Sequence, residues 1–493
     1  MKTLLVVNLA RFKGVEAILI ERRVLDWTLE RALEFPEVKE VLLVCPQALP
    51  FNFHSPKNLV VHHTPTQSDL LTLLKAKSQG FDVLYYIYGD CPFISPALAH
   101  KMIVNHTKYH ADYTFAEGYP SGLAPEILSP SLLGPLLELA QGEILPWDQG
   151  ELFALISKNI NAFDIETELP SLDLRSLRIA LNSSQSSHLA SLESLWPQRN
   201  LEIDDFLSYI KNNQGLLRTI PTYFQLQITT QVIQKPIYSP LKQADTFFSH
   251  KEKQKVLPES QWKPLLKAIS ELSPGAVVNP SLWCEPSFYP NLGEFLTESI
   301  HLGLKPVIET SGLGWSSALL DTIPEGVDWI VELDTLNPEQ YQSIRGDGWT
   351  EAQQCTMDLV QRFPGKVWPQ MTRIVENANE TLDFYKHWKE KAGQAIIQKY
   401  NHFSHRLPQL PLTDLSPIRR ESCWHIKRDF VILYDGTVVM CKDDFERKNI
   451  LGNVFTESLE KIWSRGRLLY QEQLQEKYQT LCKDCDEYYT FHF

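Results

Sequence analysis

Cysteine spacing in the carboxyl-terminal tail constrains this chain more than any other feature of its sequence. The chain has eight cysteines, and the last two form a Cys-x2-Cys turn. Such a turn brings two thiolates to one metal ion or cluster without strain. We predict a metal site formed by the four cysteines nearest the carboxyl terminus, which are Cys423, Cys441, Cys482 and Cys485.

A predicted hairpin separates the first two of these cysteines. Phe430 to Tyr434 and Thr437 to Met440 are strand-like, and Asp435-Gly436 between them is a tight-turn signal. A helix predicted near Glu457 to Leu474 returns the chain, so that the Cys-x2-Cys turn closes the site. The four thiolates fit an iron-sulfur cluster or a zinc ion, and the spacing leaves both open.

The composition predicts a chain in a reducing compartment. Met1 to Val7 is a short apolar run followed by Asn8 and Arg11, which indicates a buried strand rather than a signal peptide. We therefore expect a cytoplasmic protein whose cysteines are ligands and not disulfides. A net charge of -13 without a basic run predicts no binding to nucleic acid, and no segment is long enough to span a bilayer. The expected partners are small molecules or proteins.

The first 200 residues alternate between strands and helices. This alternation predicts a parallel sheet with its ligand site at the carboxyl ends of the strands. Asp90 follows the fourth strand, where its carboxylate can hold Mg²⁺ against nucleotide phosphates or cap the next helix. The predicted strands are Thr3 to Asn8, Glu40 to Cys45, Leu59 to His63 and Val83 to Tyr88.

Two stretches of this region resemble the nucleotide-diphospho-sugar transferases, closest to the cytidylyltransferases. They are Gly-Asp-Cys-Pro-Phe-Ile-Ser-Pro at 89–96 and Arg-Ile-Ala-Leu-Asn at 178–182. The resemblance implies a Rossmann-like fold over residues 1–200. It also implies that Asp90, with Arg11 or Lys13, binds Mg²⁺ and a nucleotide or nucleotide sugar. In two places the sequence departs from that family. The phosphate loop at 10–16 keeps only one glycine, and Asn182 replaces the second metal-binding aspartate, which favours binding or assembly over catalysis.

A second alternating region covers residues 222–412, after a linker helix within 201–221. Its six apolar runs, with helices between them, predict a parallel (β/α)6 partial TIM barrel whose active face lies where the strands end. The predicted strands are Tyr223 to Thr230, Ala276 to Trp283, Lys305 to Thr310, Trp329 to Leu333, Val367 to Ile374 and Ala395 to Gln398.

Together with the tail, this region resembles the radical S-adenosylmethionine (radical SAM) barrel followed by a SPASM domain. Phe224 to Thr230 is similar to the first barrel strand of that family, and Trp283 to Pro286 to its Gly-Gly-Glu-Pro turn. Gly303 to Gly312 is similar to its third strand and Thr-Asn-Gly turn. The resemblance implies that Glu285 holds the amine of S-adenosylmethionine, although a carboxylate here can instead cap the helix near Leu292.

The cysteines that define radical SAM enzymes are missing. Their Cys-x3-Cys-x2-Cys motif holds the cluster that cleaves the cofactor, and here its positions are Val232, Pro236 and Ser239. Valine and proline offer no ligand atom, and a serine hydroxyl is a poor ligand for iron. We expect no radical chemistry, and binding of S-adenosylmethionine without cleavage is a third hypothesis. Cys284 and Cys355 are expected to be core thiols.

The tail at residues 413–493 keeps the Cys-x9-to-15-Gly-x4-Cys opening of the SPASM domain and its next Cys-x2-Cys. The resemblance implies one [4Fe-4S] cluster on the four tail cysteines, with zinc as the alternative. The order of the head (residues 1–200), the barrel and the tail resembles that of the spiro-SPASM proteins. The leading hypothesis is an iron-sulfur protein with a binding, scaffolding or electron-transfer role in glycan or peptide modification. The alternative is a Mg²⁺-dependent nucleotidyl- or glycosyltransferase that acts through the head.

Overall fold

The computed structural model describes residues 1–45, 59–63, 67–140, 151–242, 255–407, 410, 413 and 416–490. The chain divides into two compact units, Met1–Leu217 and Arg218–Phe493. None of the helices in the described ranges combines the length and the apolar composition that crossing a bilayer requires.

The first unit is built around a seven-stranded sheet and a small two-stranded one. The sheet order is β5-β4-β1-β6-β8-β7-β9, with β2 and β3 forming the separate pair. The helices are α1 Phe12–Glu16, α2 Val24–Ala32, α3 Gln67–Lys77, α4 Pro96–Lys108, α5 Leu133–Leu139, α6 Glu151–Ser157, α7 Ser186–Leu195 and α8 Ile203–Asn212. The strands are β1 Thr3–Asn8, β2 Ile18–Leu19, β3 Arg22–Arg23, β4 Val38–Cys45, β5 Leu59–His63, β6 Val83–Tyr88, β7 Tyr113–Ala116, β8 Glu126–Leu128 and β9 Ile165–Glu168.

Strand β1 is central because it is buried on both faces. Leu4 and Val6 pack into one core cluster, whereas Leu5 and Val7 pack into the other. This is why its sequence is continuously apolar rather than alternating. The four predicted strands are confirmed and pair in parallel as β5-β4-β1-β6. The sheet continues with β8 antiparallel to β6, an addition that the sequence did not reveal.

The second unit contains a nine-stranded sheet. The helices are α9 Glu259–Leu272, α10 Leu292–His301, α11 Ser317–Leu320, α12 Pro338–Arg345, α13 Trp349–Arg362, α14 Thr381–Ala392, α15 Trp424–Arg428, α16 Leu459–Leu474 and α17 Thr480–Lys483. The strands are β10 Tyr223–Leu226, β11 Val277–Asn279, β12 Lys305–Thr310, β13 Asp328–Glu332, β14 Val367–Arg373, β15 Ile396–Lys399, β16 Asp429–Ile432, β17 Thr437–Val439 and β18 Ile450–Asn453.

The six predicted strands of this unit are confirmed as β10 to β15, which pair in parallel in chain order. The sheet order is β15-β14-β13-β12-β11-β10-β16-β17-β18. Its two ends are β15 and β18, so the pairing of the described strands gives an open sheet, and curvature into a partial barrel stays a prediction. The tail hairpin adds to the same sheet, because β16 pairs in parallel with β10.

The predicted hairpin turn depends on a glycine. Gly436 has a φ of +80°, a conformation that favours glycine. A Cβ at this position would lie 2.6 Å from the Phe455 ring. The turn therefore needs glycine both for its backbone and for the space beside it, and it fixes the register of β16 against β17.

Candidate functional site

The tail gathers all four predicted cysteine ligands in one place. Cys423 and Cys482 are buried in a side-chain cluster, and Cys441 packs against it. Cys485 lies in the turn after Cys482, and its thiol interacts electrostatically with Cys441 and Cys423. The apolar side chains of this cluster are Ile426, Met440, Tyr470, Leu481 and Tyr488. The hairpin, α16 and α17 thus bring together residues that are far apart in sequence.

Cys423 and Cys482 are buried, whereas Cys441 and Cys485 are half-buried. Burial raises the pKa of Cys423 to about 12 and that of Cys482 to about 11. Burial also raises the pKa of the Cys441 and Cys485 thiols well above the usual value. Among the residues that the structure describes, no three His, Cys, Asp or Glu side chains are grouped closely enough to hold a single metal ion. A metal centre would have to displace the four protons, because thiolates are the ligands.

One backbone N–H donates to a cysteine sulfur, and a buried amide lies beside the cysteines. The Glu487 backbone N–H donates to Cys485 Sγ at 3.3 Å. Gln473 is buried, and its Oε1 accepts the Cys423 backbone N–H at 2.9 Å. Its Nε2 makes no hydrogen bond of normal geometry in the described structure. The donor set of four thiols with N–H groups beside them suits an iron-sulfur cluster, whose sulfurs accept such hydrogen bonds.

A cavity of about 250 Å³ lies among the strand ends of the second unit. Val232, Pro236 and Ser239, the three positions that the sequence predicts to align with the radical SAM cysteines, all line it. Cys284 also lines it, whereas Cys355 belongs to the core on α13. The wall at these three positions therefore carries an isopropyl group, a pyrrolidine ring and a hydroxyl.

Glu285 lies on the cavity wall and is 4% exposed. Its Oε1 accepts Thr310 Oγ1 at 2.7 Å, and its Oε2 accepts the Ser311 backbone N–H at 3.0 Å and the Ser311 hydroxyl at 2.6 Å. The carboxylate therefore contacts the turn after β12, and the alternative prediction that it caps the helix near Leu292 is wrong. Burial raises its pKa, although these hydrogen bonds oppose the rise.

Arg345 holds the loop that follows β10. Its Nε donates to Gln234 Oε1 at 3.1 Å, and its Nη1 donates to Tyr238 Oη at 2.8 Å. The same guanidinium pairs with Asp334 at 2.6 Å and with Glu332 at 2.8 Å. Sequence reasoning missed this network, because Gln234 lies 111 residues before Arg345 and neither residue has a local signal.

The head brings two of its three predicted site residues together. Arg11 Nη1 lies 3.0 and 3.1 Å from the two carboxylate oxygens of Asp90, which is fully buried. Burial raises the pKa of Asp90 although Arg11 opposes it. Lys13 is exposed on α1. Asp90 does not cap the next helix, because Ser95 caps α4, so that alternative prediction is wrong.

Asn182 and Glu126 are two further hydrogen-bonded polar residues of the head. The Asn182 side-chain oxygen accepts hydrogen bonds from the Ser184 backbone N–H at 3.2 Å and from the Ser184 hydroxyl at 2.6 Å. Glu126 on β8 accepts Tyr113 Oη at 2.8 Å, and burial raises its pKa to about 7, with Arg11 opposing the rise. Glu126 has no sequence signal, because its role comes from antiparallel pairing that periodicity did not reveal.

Comparison with known proteins assigns the tail and the family. Residues 423–486 match the family model of SPASM, an iron-sulfur cluster-binding domain, so the tail is a SPASM domain. An uncharacterized protein of Treponema pallidum (strain Nichols) is 32% identical over 360 residues. The match covers 69% of this chain and 98% of that protein.

Solved structures also resemble parts of the chain. BtrN in complex with AdoMet and 2-DOIA is 16% identical with a TM-score of 0.36, and the match covers 54% of this chain and 94% of BtrN. A cytidylyltransferase from Leptospira borgpetersenii is 16% identical with a TM-score of 0.35, and the match covers 44% of this chain and 95% of that enzyme. At these TM-scores the likenesses decide nothing about function.

Removing the Arg345 side chain should strongly destabilise the second unit. Arg345→Met leaves Asp334 buried without its cation, and breaking such a pair costs about 3–5 kcal/mol. Urea unfolding of the full chain measures the loss. Arg362→Met is the matched control, because Arg362 pairs with Asp321 at the surface and should lose about 1 kcal/mol or less. Equal losses in the two variants would contradict the importance of the buried network.

The head should lose stability as the pH rises from the ordinary pKa of a glutamate to the raised pKa of Glu126. Its pKa is about 7 in the folded chain and 4.5 ordinarily, so the folded state binds more protons between these values. Stability therefore falls from about pH 4.5 to 7, by about 3 kcal/mol at most. Glu126→Gln should flatten this dependence in urea unfolding, whereas Glu117→Gln, an exposed control, should not. An unchanged slope in Glu126→Gln would refute the assignment.

Proposed function

The chain belongs to the family of the uncharacterized Treponema pallidum protein, and we propose that its tail binds one [4Fe-4S] cluster while the barrel and head serve binding or assembly. The observation that carries the proposal is that four cysteines, two buried and two half-buried, lie together within the SPASM match. The order of head, barrel and tail would place the family with the spiro-SPASM proteins.

Cys423, Cys441, Cys482 and Cys485 would hold the cluster. A bound cluster would supply one-electron transfer or structural support. The surrounding residues bury the sulfurs and donate hydrogen bonds to them. The Glu487 N–H donates to the Cys485 sulfur, and this contact favours a thiolate, which is the form that a metal requires. Gln473 instead holds the backbone at Cys423, since its Oε1 accepts the Cys423 N–H.

Metal analysis tests this proposal directly. The full chain is purified without oxygen, and iron, acid-labile sulfide and zinc are measured per chain, with electron paramagnetic resonance after reduction. We expect about four irons and four sulfides. Cys482→Ala/Cys485→Ala should lose them, because two of the four thiolates are gone.

The control for this experiment is another pair of cysteines of the same unit. Cys284→Ala/Cys355→Ala removes two thiols outside the tail cluster and should keep the full iron content. One zinc per chain without iron would instead assign a structural zinc site to the four thiolates. Wild-type chain without any metal would overturn both.

The cavity supports a second function, binding of S-adenosylmethionine without cleavage. Glu285 on its wall would accept the amine of the cofactor, and no cysteine occupies the aligned positions Val232, Pro236 and Ser239. Arg345 fixes the loop at these positions through Gln234. A loop held by a buried arginine needs no cluster for its conformation.

Calorimetric titration with S-adenosylmethionine tests the second function. Glu285→Gln should weaken binding by about tenfold or more, since a hydrogen bond to a charged group contributes about 1.5–3 kcal/mol. Glu294→Gln is the control, because Glu294 is an exposed carboxylate paired with Lys263. No 5′-deoxyadenosine should form under reducing conditions. Equal affinity in the wild type and Glu285→Gln, or any cleavage, would refute this function.

The alternative, Mg²⁺-dependent transfer by the head, would require Asp90 to exchange Arg11 for a metal. Both Asp90 oxygens contact the guanidinium, and Asn182 offers only an amide oxygen. These contacts favour a head that binds or assembles. Mg²⁺-dependent turnover of a nucleoside triphosphate that is lost in Asp90→Ala would favour the transferase instead.

A further inference from the structure

Glu487 links the cysteine site to the wall of the barrel cavity. Its backbone N–H donates to Cys485 Sγ at 3.3 Å. Its carboxylate, in a residue only 2% exposed, accepts Lys399 Nζ at 2.8 Å and lies 3.4 Å from Lys442 Nζ. One buried residue therefore contacts a predicted ligand thiol and two cations.

Both of these lysines line the cavity. Lys399 is the last residue of β15, and Lys442 directly follows Cys441. Their side chains are 18% and 20% exposed, so each is partly accessible while its ammonium group contacts Glu487. A change in the cavity wall can therefore reach the tail through a single carboxylate.

Further carboxylates pair with both lysines. Lys399 Nζ lies 2.6 Å from Asp486, and Lys442 Nζ lies 3.7 Å from Asp443. The network is therefore a set of fixed charges beside the cysteines.

We propose that Glu487 is a positioning residue through which the charge of the cavity wall sets the reduction potential of the cysteine-bound centre. The inference rests on the proposed iron-sulfur cluster and deepens it by naming how that centre is regulated. Glu487 acts in two ways. Its N–H donates to the Cys485 sulfur. Its carboxylate places a negative charge near the centre, and the positive charges of the two lysines offset this negative charge.

The sign of each effect follows from electrostatics. Reduction adds an electron, so a nearby negative charge opposes it and a nearby positive charge favours it. Glu487→Gln keeps the backbone N–H and removes the charge, and it should favour the reduced centre by about tenfold. Lys399→Gln removes a positive charge and should favour the oxidised centre, by about threefold because Lys399 lies on the cavity side of Glu487.

Redox titration of the full-length holoprotein, followed by electron paramagnetic resonance, measures these changes. The decisive comparison is a double-mutant cycle. If Lys399 acts through Glu487, the effect of Lys399→Gln should shrink in the Glu487→Gln background. The rate at which a chelator removes iron gives a second readout, and Glu487→Gln should lose iron faster because the tail segment is held less firmly.

Glu294→Gln is the matched control, because it removes a lysine-paired carboxylate from the exposed surface of the same unit. It should change neither the potential nor the rate of iron loss. A wild-type cluster whose potential is unchanged in Glu487→Gln would overturn this inference and leave the proposed function intact. Reduction-potential shifts of the same sign in Glu487→Gln and Lys399→Gln would also overturn it, because a general loss of rigidity does not depend on the sign of the charge that is removed. Wild-type protein without iron would overturn both.

Discussion

The second unit depends on the parallel pairing of β10 with β16. Through this pairing the strand that opens the barrel region is also the neighbour of the tail hairpin. Phe224 and Phe430 sit opposite each other across the pair, with ring centroids 5.5 Å apart, and both belong to the largest apolar core. Because a sheet transmits its register from strand to strand, this contact positions Cys423 before β16 and Cys441 after β17 relative to the strand ends. The cysteine cluster therefore lies on an extension of the nine-stranded sheet.

A buried arginine fixes the loop after β10. Here Arg345 joins Gln234 and Tyr238 of the loop to the buried carboxylate of Asp334. Such a pair is expensive to bury but even more expensive to break, so it makes one loop conformation strongly preferred. The head uses a similar contact, since Arg11 covers both oxygens of Asp90. In both places a guanidinium neutralises a buried carboxylate.

Two lysines pair with one buried carboxylate beside the tail cysteines. Lys399 and Lys442 contact the same buried carboxylate of Glu487 from two sides, and the same residue donates its N–H to Cys485. Fixed charges at this range in a poorly solvated environment change the relative energies of oxidised and reduced centres more than any exposed pair can. The cavity at the strand ends and the cysteines are therefore connected by short polar contacts rather than by proximity alone.

The sequence by itself determined the elements whose signals are local. Apolar runs predicted β1, β6 and the six strands β10 to β15, and the Asp435-Gly436 turn with the Cys-x2-Cys spacing predicted the tail site. Only the tertiary structure decided what each polar group contacts. Asp90 pairs with Arg11 across 79 residues, and Lys399 meets Glu487 across 88. Such pairings leave no periodicity in the sequence, because they depend on which strand ends meet and on which side chains are left to satisfy a buried charge. The same reason explains why Glu126 and Arg345 were missed, whereas the cysteine spacing is a local signal.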